Sequence, residues 1–152
     1  MAPTPLLKLV ALDSEDLQTI SAHLQDAVLR VADMAYLPKE KRFAALCNRF
    51  DWPAALDGKH KGQPKHSRNR TALRFERVLS ARLQNIRLDA KDEVLSLLAI
   101  QFDETDPPGG AITLLFSASA AIRLEVECIE AELRDLGPSW RARSRPEHKQ
   151  QG

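Results

Sequence analysis

Cysteine is scarce: Cys47 and Cys128 are the two in the chain. They lie far apart, with no CxxC and no Cys/His ligand spacing, so neither a disulfide framework nor a zinc site is indicated. Each reads as a small buried or half-buried apolar residue. Long apolar runs are missing too. None approaches the ~20 residues that a helix needs to cross a bilayer, so no membrane span is expected. The opening residues, MAPTPLLKLVAL, have no basic start, no long apolar stretch and no small-residue cleavage site, so we expect no leader and a cytoplasmic location. The sequence contains no GxSxG, no HExxH, no Cys–His pairing with a third group and no Gly-rich nucleotide fingerprint. Glu125, Glu127, Glu130 and Glu132 at helical spacing would spread over a solvent-facing arc rather than converge for acid/base work. The expectation is a protein that is not an enzyme and carries no cofactor.

What is present is ordinary for a globular domain. The apolar fraction is 43% and the charged fraction 28%. The 152 residues suit one domain, taken as residues 1–138, with a basic tail over 139–152 expected to be disordered unless Trp140 anchors its start. A chain of this size buries about 70% of the surface its unfolded form exposes. The net charge of +1 conceals an asymmetry. From Asp57 to Arg77, seven lysines and arginines stand against two acids, a local +5. The tail adds +3, which leaves −7 for the remainder. An acidic body with two basic segments reads either as surfaces that offset one another or as an anion-binding edge.

The basic stretch DGKHKGQPKHSRNR holds no large apolar residue and cannot be a core element. Lys59, Lys61, Lys65, Arg68, Arg70 and Arg74 are the candidate anion-binding residues, for the phosphates of a nucleic acid or nucleotide or for an anionic metabolite. The stretch has no aromatic residue for base stacking, and Gly58 and Gly62 lack a Walker or Rossmann context. The plainer reading is a solvated loop. His60 and His66 sit among cations with no Cys or clustered acid beside them, so a metal site is not expected. His23 flanks an apolar stripe and reads as a boundary histidine.

Hydrophobic periodicity supplies the elements. Leu6–Leu12 reads as a strand. Asp13 then opens a helix whose stripe is Leu17, Ile20, Leu24 and Val28, with acids in the first turn. Val28–Leu37 and Arg42–Asp51 read as two strands joined by the turn Pro38-Lys39-Glu40-Lys41. Thr71–Leu83 alternates as one half-buried strand, with Leu73, Phe75, Leu79, Ala81 and Leu83 facing inward. Arg77 falls on that apolar face and would need a carboxylate, for which Asp33, Glu125 and Glu127 are candidates. Glu93–Phe102 reads as a strand covered on both faces, and Asp103–Gly110 as a loop. Ile112, Leu114 and Phe116 form a strand, Ser117–Ala120 a turn, and Ile122, Leu124 and Val126 the return. Val126, Ile129, Leu133 and Leu136 then mark a closing amphipathic helix that Gly137-Pro138 ends. The expected fold class is α+β. It is a mainly antiparallel curled sheet or split barrel of about seven strands, with a helix after the first strand and a C-terminal helix plugging it. That arrangement resembles the pleckstrin-homology-like architecture.

Asn48-Arg49-Phe50-Asp51-Trp52 mixes two aromatics with a guanidinium and a carboxylate. Packed aromatics with an outer Arg49–Asp51 pair are one reading; an interaction patch of Arg49, Phe50 and Trp52 is the other. This segment, with Leu24-Gln25-Asp26-Ala27, Arg74–Val78, Val94–Ile100 and Ile122–Ile129, resembles a bacterial domain-of-unknown-function family, the one numbered 2948. The resemblance spans about Leu6 to Pro146 and implies no activity, cofactor or catalytic residue. The functional expectation is a non-catalytic binding or adaptor domain with an unknown protein partner. The alternative is anion or nucleic-acid binding through residues 57–77.

Overall fold

Alternating hydrophobicity dominates the chain, and it folds as a sheet. The computed structural model describes residues 6–50 and 68–138. The elements run β1 (Lys8–Ala11), α1 (Ser14–His23), β2 (Val28–Leu37), a 3-10 turn (Pro38–Glu40), β3 (Arg42–Phe50), β4 (Arg68–Phe75), β5 (Val78–Gln84), β6 (Val94–Asp106), β7 (Gly109–Phe116), β8 (Ala121–Val126) and β9 (Ala131–Pro138). All nine strands join one open, curled sheet in the order β1-β9-β4-β3-β2-β6-β7-β8-β5, and every pairing is antiparallel. Strand β6 joins the halves: Val94–Ser96 pair with β2, and Leu97–Asp106 pair with β7.

One core fills the inside of the curl. Phe43, Ala45, Cys47, Leu73, Phe75 and Leu133 come from one half, and Leu97, Ile100, Ile112, Leu114, Ile122 and Leu124 from the other. Helix α1 adds Leu17 and Ile20, with Leu24 at its C-cap. Its start follows the expected chemistry. Asp13 accepts a hydrogen bond from the Asp16 amide at 2.8 Å, and Asp16 in turn accepts from the Leu12 amide. The Ser21 hydroxyl accepts from the Ile100 amide at 2.9 Å, just past the bulge in β6, so the helix also ties into the sheet. Val28 belongs to β2 rather than to the helix stripe.

Several expectations are corrected. Thr71–Leu83 is two strands, not one: Arg77 adopts a left-handed φ of 62° between β4 and β5. The break resets the alternation, so Val78 is buried and Leu79 is exposed. Arg77 is therefore a surface residue, bonded to Glu130 at 3.3 Å with Glu127 at 3.8 Å. Asp103–Asp106 extends β6, and the loop shrinks to Pro107-Pro108. Strand β6 is covered on one face, since Val94 and Leu98 are exposed. The closing helix is a strand. Ala131, Leu133 and Asp135 point inward and Glu132, Arg134 and Leu136 outward, a period of two that pairs with β1 and β4. Leu133 fits either period, and the need to pair two open strand edges decides between them. Among the described residues the strand count is nine rather than about seven, and the plugging helix of the pleckstrin-homology-like arrangement is a strand here.

The β6–β7 hairpin closes tightly at Gly109-Gly110. A Cβ on Gly110 would stand 2.3 Å from the Asp103 carbonyl oxygen, which no flexible side chain can relieve. Gly110→Ala is expected to cost about 1–3 kcal/mol, the usual range for overpacking. Urea denaturation read against wild type would check it; an unchanged midpoint would show that the hairpin can open at no cost.

Candidate functional site

Alternation along β3 places Phe43, Ala45, Cys47 and Arg49 on the inner face. Arg49 is thus buried, at 3% exposure, rather than displayed in a surface patch. Its guanidinium donates two hydrogen bonds to Asp135 of β9, at 3.1 and 2.7 Å. Thr71 of β4 donates to the same carboxylate at 2.8 Å, and the Leu7 amide donates at 3.0 Å. Burial pushes the Asp135 carboxyl up, but the bonds from Arg49, Leu7 and Thr71 together hold it below its usual range. The neighbouring Cys47 thiol is pushed by burial up to about 12, which keeps it protonated and unreactive. The Asp135 carboxylate thus accepts four hydrogen bonds from three segments of the protein, so this cluster holds the fold.

The other sequence candidates divide. Lys59, Lys61, Lys65 and Trp52 lie outside the described residues. Phe50 pairs with Arg68 at the far end of the β3–β4 ladder, and Arg70 pairs with Asn48 one turn of alternation further in. Arg74 is committed to two carboxylates, Glu76 at 2.8 Å and Glu132 at 2.7 Å. The structure therefore brings Arg70 and Arg74 to one outer face but leaves Arg74 little capacity for a ligand.

A different surface gathers unspent chemistry. The outer face of β6-β7-β8-β5 carries a groove of ≈ 820 Å³. Its floor is Leu98, Thr113 and Leu115; its sides are Arg82, Gln84 and Arg123. Arg82 and Arg123 are directly opposite each other across the β5–β8 pairing, and Thr113 is next in the same row. Like charges at facing positions destabilise a sheet. Glu125 relieves Arg123 with a bond of 2.9 Å. Arg82 has no carboxylate partner among the described residues.

Backbone strain collects at one end of this groove. Ala118 and Ser119 both hold left-handed conformations, with φ of 60° and 61°, in the two-residue turn between β7 and β8. That geometry matches the twist of a tight hairpin but suits Asn and Gly better than Ala and Ser. Asn85, with φ of 56°, donates from its side chain to the Ser119 carbonyl at 2.8 Å and clamps the two loops together. Sequence reasoning missed this site because its residues come from four strands. The one available signal was Arg82 on the outward face of its strand.

Breaking the buried pair is expected to cost about 3–5 kcal/mol in Arg49→Met, because Asp135 keeps its charge without its partner. Arg49→Met with Asp135→Leu should recover much of that loss. The lowered carboxyl stabilises the fold above the ordinary aspartate range and loses that contribution as pH falls through its folded value. Asp135→Asn should therefore differ most from wild type at neutral pH and least in acid. Chemical denaturation from pH 7 to pH 2 checks this; a gap that stays constant with pH would remove the carboxylate from the account.

No curated protein and no solved structure matches the chain. A family model, described as protein of unknown function (DUF2948), matches residues 7–148, and the chain belongs to that family.

Proposed function

We propose that this protein is a non-catalytic, cytoplasmic binding domain that contacts a protein partner through the outer groove of β6-β7-β8-β5. The observation that carries this reading is the facing Arg82–Arg123 pair above exposed leucine. An isolated sheet gains nothing from two guanidinium groups placed opposite each other. A partner that brings a carboxylate turns the same arrangement into a forked, charge-assisted contact. Beside it, Leu98 is 50% exposed and lies in the groove, where a partner side chain would bury it. Leucine and alanine side chains, Phe116, Thr113, Ser119, Gln84 and two arginines line the groove, a mixture of apolar and hydrogen-bonding groups suited to holding a partner. Two free cysteines, one of them buried, agree with a reducing compartment. Strain at Ala118, Ser119 and Asn85 adds support, since costly backbone conformations gather where a surface must keep a set shape.

Leu98→Asp tests the reading without touching the core. Affinity capture from native lysate should recover a discrete partner on the wild-type protein. The substituted protein should recover roughly tenfold less or worse, as expected for a central contact residue. Thermal midpoints of the two proteins should agree. Equal recovery by both would rule the groove out as the contact surface.

A further inference from the structure

Among the described residues, strand β5 ends the sheet and no strand pairs with its outer edge. Natural edges are usually blunted by short length, lysine, proline or cover. The opposite edge follows that pattern. Strand β1 has four residues and begins with Lys8, which pairs with Glu132. Strand β5 has seven residues, VLSARLQ, with neither lysine nor proline. Its start is held, because the Val78 amide donates to the Lys41 carbonyl at 2.9 Å. From Ser80 to Gln84 it pairs, among the described residues, with β8 alone.

The two faces of this edge differ in chemistry. Ser80, Arg82 and Gln84 lie opposite Glu125, Arg123 and Ala121, on the groove side. Ala81 and Leu83 lie opposite the buried Leu124 and Ile122, on the core side, and Leu83 is still 38% exposed because no strand among the described residues flanks it. An added strand would therefore meet hydrocarbon on one face and the Arg82–Arg123 row on the other.

Resting on the groove reading above, we infer that the partner contributes an extended segment that adds to the sheet beside β5. Its pattern is apolar–acidic–apolar. The carboxylate faces Arg82 and enters the arginine row, and the flanking apolar side chains cover Leu83 and Ala81. Main-chain hydrogen bonds along the open edge provide affinity, and the charge sets which segment fits. A basic segment would place a third cation in that row and be rejected.

Two nine-residue peptides alternate valine with glutamate or valine with lysine. Fluorescence anisotropy measures their binding, and amide hydrogen exchange follows Ser80–Gln84. The glutamate peptide should bind wild type at least tenfold more tightly than the lysine peptide, and it should slow exchange along β5. Arg82→Glu should reverse the preference, with the fold retained by circular dichroism. Binding of the glutamate peptide that survives Arg82→Glu overturns the inference. Charge-dependent binding that leaves the β5 amides unprotected overturns strand addition while the groove reading stands. Failure of both peptides to bind, with Leu98→Asp still abolishing partner capture, also overturns strand addition and spares the groove. Loss of both effects removes the groove reading itself.

Discussion

The bond between Arg49 and Asp135 is the constraint on which the rest of the structure depends. It joins β3 to β9 across β4, and Thr71 of β4 completes it. Leu7, just before β1, adds an amide to the same carboxylate, and the Asp135 amide returns a bond to the Leu7 carbonyl. Four segments distant in sequence thus meet at one buried charge. A hydrophobic contact there would tolerate sliding, because apolar packing has no direction. A two-pronged guanidinium–carboxylate contact does not, since a one-residue slip of β9 would carry Asp135 to the outer face and leave Arg49 buried alone. The pair therefore fixes the register of the closing strand more than it adds net stability.

With that register fixed, the sheet can stay open. A closed barrel has no edges, whereas this curl ends in β1 on one side and β5 on the other. Helix α1 contacts β1 and β6 and fills the core between the halves. The outer faces then differ. Across β3, β4 and β9 the outward side chains include small Ala44 and Ala72, and Arg74 is paired with Glu76 and Glu132. Across β6 to β5 they are larger, and one cation lacks a partner among the described residues. Alternation after buried Leu95 and Leu97 points Leu98 outward into the groove, and the bulge between Leu97 and Ala99 then resets the phase so that Ile100 is buried.

Much of this was legible one segment at a time. The N-cap at Asp13, the limits of β2, the Pro38–Lys41 turn and the Ser117–Ala120 turn follow from local chemistry that neighbours do not override. Illegible features needed long-range information. The closing strand carries apolar residues that satisfy both a helical and a strand period, and pairing with β1 and β4 decides the matter. Buried arginine was expected at Arg77 and is found at Arg49. A single residue in a left-handed conformation, which sequence does not mark when it is arginine, turns Val78 inward and Leu79 outward before a bulge in β5 restores the alternation. The groove was invisible for a related reason. Arg82 and Arg123 become neighbours through cross-strand register alone, which one sequence does not record.

Charge shows the same limit. The segment from Asp57 to Arg77 carries +5 and the chain +1, so composition draws attention to the segment. Yet two of its described arginines are already engaged. Arg74 binds Glu76 and Glu132, and Arg77 binds Glu130. Elsewhere Lys41 holds Glu127 at 2.9 Å and Arg42 holds Glu76 at 2.9 Å. Such exposed pairs are each worth no more than about 1 kcal/mol, but they neutralise the field that a ligand would feel. A local excess of cations therefore overstates the attraction available to a partner. The charge that matters for recognition is the one left over after pairing. Among the described residues of the groove that charge is Arg82, in a stretch whose composition attracts no notice.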